Sequence, residues 1–388
     1  MSAVLPVYSR CNLMFERGEG VYLFTAGGTR YLDFASGIAV NSLGHSHPHL
    51  VSETVDQVKK LWHVSNLYQI DGLEKLAKRI VDQCFADYIF FCNSGAEAVE
   101  CGLKIIRKYH DTDGNPDKFR VITFEGCFHG RTLATISAAK KDKLMAGFEP
   151  EVDGFDQVSF GDIEAVKKAI TPETGGILIE PIIGEGGIKV ATPEFLKALR
   201  ELADKHKLLL FFDEIQCGMG RTGKFFAHQL ADVKPDIVAS AKGIGSGFPL
   251  GACLATKEAA KGMTPGSHGS TYAGNPLAVR VGNAVMDIML AEGFLENVVE
   301  VGNYLKNKLD ELKNTYPKTI KEVRGEGLIL GIQIEGENRS FVEKLREKNL
   351  LTVPAAENIV RILPPLILEE SHVDEGIKII KSLCEELS

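Results

Sequence analysis

What most limits the fold of this chain is a series of short, unbroken apolar runs separated by helix-length segments. Tyr88 to Cys92, Val121 to Phe124, Gly176 to Ile179, Leu208 to Phe212 and Ile237 to Ala239 each give way to Gly, Asp, Glu or Lys within a few residues. A strand with one wet face alternates apolar and polar side chains, whereas a strand covered on both faces does not. The pattern predicts a mostly parallel sheet buried between helices, the core of a doubly wound α/β domain. Ligands of such sheets bind beyond the carboxyl ends of the strands, so those ends are where chemistry is to be sought.

Around these runs the periodicity changes. Val51 to Trp62 and Leu73 to Phe85 repeat apolar residues at three and four, as amphipathic helices do. Val21 to Phe24 and Tyr31 to Phe34 flank Gly27-Gly28 and predict a hairpin. Helices are expected near Leu277 to Leu290 and Phe294 to Asn314, with short strands at Gly327 to Ile334 and Ile359 to Leu363. This divides the 388 residues into a large α/β domain over 48–275 and a smaller α+β domain made of 1–47 with 276–388.

Composition narrows the function. A net charge of -8 with no basic run disfavours phosphate-backbone binding, which needs clustered Lys and Arg, and no nucleic-acid partner is expected. Leu366 to Glu370 alternates charge with apolar residues and is expected to be a solvated element end. Met1 to Asn12 has no apolar leader core, and no window of about 18 uncharged apolar residues exists, so a cytoplasmic protein with no membrane partner is expected. The eight cysteines are scattered without a CxxC pair, which suggests reduced thiols rather than zinc ligands.

Four strand ends carry candidate chemistry. Leu208 to Phe212 stops at Asp213, a carboxylate that costs several kcal/mol to bury unless a cation pairs with it. Ile237 to Ala239 leads through Ser240-Ala241 to Lys242 among small residues, where a desolvated amine becomes a nucleophile able to form imines. A rim Asp and a turn Lys are the alternatives. Together, however, the two match the needs of pyridoxal phosphate: an imine-forming lysine and an acid for the ring nitrogen. A phosphate site follows Tyr88 to Cys92, where Ser94-Gly95 opens a helix whose free N–H groups suit an anion. With Glu97 three residues after Ser94, the same segment is also a capping box. Beyond Val121 to Phe124, Phe128 could stack on a flat ring, beside His129, and Arg131 could grip a carboxylate.

Two motifs point elsewhere. Gly218 to Gly223 matches GxGxxG, with Asp236 downstream, and would make the chain a nicotinamide-dependent dehydrogenase. Five residues separate it from its strand, and no apolar helix follows. His45, His47 and His49 could suggest a metal, but no matching carboxylate or cysteine set accompanies them, and none is expected.

In this order the residues resemble the class III aminotransferases, and within them the acetylornithine aminotransferases. The likeness runs from Phe34-Ala35-Ser36-Gly37 through Trp62-His63-Val64-Ser65-Asn66 and Glu185-Gly186-Gly187 to Arg361. Asp213 to Gly223 and Gly266 to Tyr272 are its most specific stretches. The resemblance implies the fold-type I architecture with pyridoxal 5'-phosphate on Lys242. Ser94 and Gly95 would bind the phosphate, Phe128 stack on the ring, Asp213 pair with its nitrogen and Gln216 reach its hydroxyl. Thr271 would reach the phosphate in a neighbouring subunit, implying a homodimer with shared active sites. Arg131 and Ser270 would hold the acetylornithine end, Arg361 the α-carboxylate of glutamate or 2-oxoglutarate, and Glu185 would gate Arg361. The implied reaction moves the δ-amino group of N2-acetyl-L-ornithine to 2-oxoglutarate, a step in arginine biosynthesis. Succinyl-diaminopimelate, ornithine and 4-aminobutyrate are alternative donors. Two positions depart from the commonest pattern. Ala96 replaces a threonine near the phosphate, and Ile183 replaces a glutamine before the Gly-Glu-Gly-Gly run.

Overall fold

The computed structural model describes residues 3–387; the ends of the expected domain division, residues 1, 2 and 388, lie outside them. A seven-stranded sheet runs through the middle of the chain. Its spatial order is Tyr88–Cys92, Gly251–Ala255, Ile237–Ser240, Leu209–Asp213, Thr174–Ile179, Arg120–Phe124 and Phe155–Val158. Six strands run in one direction, and Gly251–Ala255 is antiparallel to both neighbours.

All five predicted runs are strands, within one or two residues of their expected ends. The sheet adds Gly251–Ala255, a run of mostly small residues, and the short edge strand Phe155–Val158. Every side chain of Leu209–Asp213 and Ile237–Ser240 is buried. Fully burying a Leu or Phe contributes about 1.5–3 kcal/mol each, which fixes these strands in the interior. Leu210→Ala, at a fully buried position, would cost about 2–5 kcal/mol.

The covering helices start where local chemistry dictates. Pro193–His206 opens with a proline in its first turn, the Thr192 hydroxyl accepts from Phe195 N, and Phe195, Leu196, Leu199 and Leu202 face the core. Free N–H groups in the first turn make both devices stabilising. Gly95–Thr112 is capped by Ser94, whose hydroxyl accepts from Glu97 N. The helices Pro48–Val58 and Leu73–Val81 pack against Pro276–Met289.

Two four-stranded sheets flank this core. The hairpin Tyr22–Phe24 with Arg30–Asp33 is present, extended by Arg17–Glu19 on one side and by Leu350–Leu351 on the other. The second orders Ile320–Glu326, Ile329–Ile334, Ile359–Ile362 and Val353–Pro354, all antiparallel. Here the structure differs from the expected Gly327 to Ile334 strand: residues 327 and 328 turn, and a strand precedes them. Leu366 to Glu370 also departs from expectation, because Leu366 and Leu368 are fully buried and only the Glu pair is exposed. Its apolar positions pack into the core while Glu370 starts the terminal helix.

Candidate active site

Five parallel strands point their carboxyl ends at one cavity of about 380 Å³. Ser94 and Gly95 follow the first, Phe128 and His129 lie beyond Arg120–Phe124, and Glu180 directly follows Thr174–Ile179. Asp213 ends its strand, and Lys242 begins a short 3-10 turn two residues past Ile237–Ser240. The cavity is lined by Ser94, Gly95, Phe128, Glu185, Asp213, Gln216 and Lys242, all expected from the sequence. Arg361, buried on Ile359–Ile362, reaches the same place, with its Nη1 3.4 Å from Gln216 Oε1.

Asp213 has the cationic partner that its burial requires. His129 Nδ1 donates to its Oδ2 at 2.7 Å, and Ile215 N donates to its Oδ1 at 3.1 Å. Burial pulls the His129 imidazole down, but contacts with Cys127 and Asp213 more than offset it and hold the ring well above the ordinary histidine value. Glu180 is the residue that sequence reasoning missed. It accepts from Phe128 N at 2.7 Å and Gly184 N at 3.4 Å. Burial first, then the nearby Asp213, raises its carboxyl above the usual range. The signal was available, since Glu180 ends an apolar run as Asp213 does.

Lys242 is held at φ 51°, a backbone state that non-glycine residues adopt rarely and that concentrates at functional positions. Burial, followed by the charge of Arg361, pushes its amine down to about 8, against partial opposition from Asp213, Glu180 and Glu185. An amine of this kind is a nucleophile close to neutral pH.

The opposite wall suits an anion. Gly95, the first residue of its helix, lies so close to Ile215 that an added Cβ would come 2.7 Å from its side chain and force it to shift. The Ser94 hydroxyl and Asn93 N both donate to Glu97, and Ser270 donates to the same carboxylate at 3.0 Å. Glu185 pairs with Arg361 Nη2 at 2.8 Å, the former 35% exposed and the latter 1%.

Four expected residues are not part of the cavity lining: Arg361, which meets the lining residues Gln216 and Glu185, and three on other segments. Arg131 is exposed, with its guanidinium 5.7 Å from the Phe128 ring centre. Thr271 is exposed, and Ser270 is half-buried on the Glu97 side. The alternative motifs find other roles. Gly218 to Gly223 opens no helix; Arg221 is buried there and donates to the carbonyls of Leu328 and Pro364. His45 pairs with Asp33, His47 caps Pro48–Val58 and His49 pairs with Asp287. None of the eight cysteines, all among the described residues, is in a disulfide. Among the described residues no helix is long and apolar enough to cross a membrane.

A lysine and an aspartate at neighbouring strand ends face a helix N-terminus across one cavity, an arrangement suited to chemistry through an enclosed amine. The chain belongs to the aminotransferase class-III family, which it matches over residues 6–384. It is 57% identical to an acetylornithine aminotransferase of Agrobacterium fabrum over 99% of this chain and 96% of that protein. One from Aquifex aeolicus is 46% identical over 99% and 100%. Among solved structures, an N-acetylornithine aminotransferase from Stenotrophomonas maltophilia superposes with a TM-score of 0.86 at 35% identity, covering 98% of this chain and 97% of that one. An ornithine aminotransferase from Toxoplasma gondii superposes with 0.95 at 28%, covering 99% and 93%.

Proposed function

We propose that this chain moves the δ-amino group of N2-acetyl-L-ornithine to 2-oxoglutarate, giving N-acetylglutamate 5-semialdehyde and L-glutamate, with pyridoxal 5'-phosphate as cofactor. The observation that carries the reading is the convergence of Lys242, Asp213 and the Ser94-Gly95 helix start on one cavity. The residues fit the group: the helix start at Ser94-Gly95 lines the cavity and suits a phosphate, and the buried Asp213 offers a partner to a ring nitrogen. When bound, that cofactor supplies an aldehyde for amines and a protonated ring that accepts the electron pair left by a departing proton.

The chain's own groups do the rest. Asp213, fixed by His129, would hold a proton on the ring nitrogen. The Lys242 amine, neutral above about pH 8, would hold the cofactor and then carry the proton taken from the donor carbon. Phe128 would cover one ring face and Gln216 would meet the ring hydroxyl. Arg361 would bind the α-carboxylate of glutamate or 2-oxoglutarate when Glu185 swings away, and Glu185 would close over it when acetylornithine is bound. Arg131 and Ser270 would take the acetylated end. Thr271 would serve the phosphate of a second subunit, making the enzyme a homodimer with shared sites. The division into 48–275 and 1–47 with 276–388 is supported by the pairing of Arg30–Asp33 with Leu350–Leu351. The place proposed for the reaction is arginine biosynthesis in the cytoplasm.

Acetylornithine is favoured over ornithine, succinyl-diaminopimelate and 4-aminobutyrate by relatives of that name at 46–57% identity. The test is a single-turnover titration of yellow holoenzyme with each donor alone. Acetylornithine should bleach the cofactor at the lowest concentration and 2-oxoglutarate should restore it. A stronger response to another donor would replace the substrate, and protein that never takes up the cofactor would overturn the reading.

A further inference from the structure

Glu185 must sit on Arg361 for one substrate and leave it for the other, so what holds the Glu185 loop matters. The short hairpin Ile182–Ile183 with Lys189–Val190 carries it. The four residues 354–357 touch both partners of the gate: Pro354 O accepts from Arg361 Nη2 at 3.1 Å, and Ala356 N donates to Glu185 O at 3.0 Å. Two cations converge on Glu357 in the same stretch. Lys189 Nζ lies 2.6 Å from Oε1 and Arg324 Nη1 lies 2.7 Å from Oε2. The same Arg324 nitrogen donates to Gly187 O at 3.1 Å, two residues after Glu185. Ile188 stands at φ 52°, a backbone state that a β-branched residue adopts only when its surroundings hold it there. Burial would raise the Glu357 carboxyl, but Arg324 and Lys189 hold it below the ordinary range.

We propose that Arg324, Glu357 and Lys189 form a latch that holds the Glu185 loop against Arg361, and so set the balance between the two amino-group donors. This rests on the gating reading of Glu185 and Arg361. The three are positioning residues, since none of them lines the cavity. With the latch intact, the closed pair is the resting state. With it broken, the loop relaxes, Glu185 leaves Arg361 more often, and a cation is exposed to the donor that lacks a second carboxylate to meet it.

The experiment measures the two half-reactions separately on holoenzyme, with acetylornithine alone and with glutamate alone, for wild type, Glu357→Gln and Arg324→Gln. Lys189→Gln, at a position more exposed than Arg324, serves if either fails to fold. The half-saturation for acetylornithine should rise roughly two- to fivefold, the scale of partly exposed ion pairs, while that for glutamate stays level or falls. In a Glu185→Gln background the same substitutions should do nothing further, because coupled residues lose their effect together. Equal shifts in both half-reactions, no shift in either, or an undiminished effect in the Glu185→Gln background would each overturn the latch. If wild type ignores acetylornithine, the substrate assignment fails instead, and the ω-amine that does bleach the cofactor takes its arm of the test.

Discussion

The inner wall of the cavity and its rim are built differently. On the inner wall, Asp213, Glu180 and His129 are buried and bond to one another or to the backbone, and the half-buried Lys242 stands at a strand end beside them. On the rim, Arg131 and Thr271 are exposed and Ser270 half-buried, in segments without regular structure between Phe128 and Thr132 and between Thr264 and Asn275. The sheet holds atoms to the tolerance that bond-making requires, whereas a loop can change its grip without disturbing the core. The difference predicts that inner-wall changes cost turnover and rim changes cost affinity.

The hardest test of that division is Lys242→Arg, which keeps charge and bulk but removes the imine-forming amine. Turnover should fall by about 10²–10⁴-fold or more, the contribution of a positioned proton carrier, with thermal stability nearly unchanged. A variant retaining a tenth of the activity would move the chemistry off Lys242. Next is Asp213→Asn. It leaves the protonated His129 buried without its charge partner, a change worth about 3–5 kcal/mol when a buried pair is broken. A fall in melting temperature should therefore accompany a large loss in kcat. Loss of activity with stability intact would show that His129 is not held as a cation.

The inner wall was also the more legible half. Asp213 and Lys242 stood out because a charged residue ending an apolar strand has no structural reason to be there unless something pairs with it. The same logic applies to Glu180, which follows the apolar run Gly176 to Ile179 as Asp213 follows Leu208 to Phe212. Gly251–Ala255 escaped notice for another reason: its small residues carry no large apolar run, and it pairs antiparallel, so no crossover helix announces it. Ile320–Glu326 alternates with Lys, Glu and Arg on an outer face, which hides a strand among charges. The rim is illegible on principle. Arg131 could have faced any direction from its loop, and a residue serving a second subunit leaves no trace in one chain's periodicity.

A third measurement reads the electrostatics of the inner wall. In cofactor-free protein, the reaction of Lys242 with an aldehyde reagent should climb through about pH 8, well below the ordinary lysine range. The sign follows from burial and from Arg361, both of which favour the neutral amine, so acidification below that point protonates it and slows the reaction. Arg361→Gln removes one of the two causes and should move the midpoint upward, while Asp213→Asn removes an opposing charge and should move it downward. Midpoints that stay put would mean that these groups do not sense one another across the cavity.

The smallest expected effect is at the rim. Arg131 stands on an exposed turn with its guanidinium over the Phe128 ring, and it touches no inner-wall group. A hydrogen bond to a charged group is worth about 1.5–3 kcal/mol, so Arg131→Ala should raise the acetylornithine KM by about 10- to 100-fold, with the lower end expected because water reaches the site. The value of kcat should change by less than about twofold, since uniform binding lost from both ground and transition states leaves turnover alone. Arg131→Lys should recover little, because an ammonium cannot reproduce a two-pronged grip on a carboxylate. A fall in kcat matching the rise in KM would mean that Arg131 sets the Phe128 ring and, through it, the inner wall, and the two regions would then be one machine rather than a fixed core with an adjustable edge.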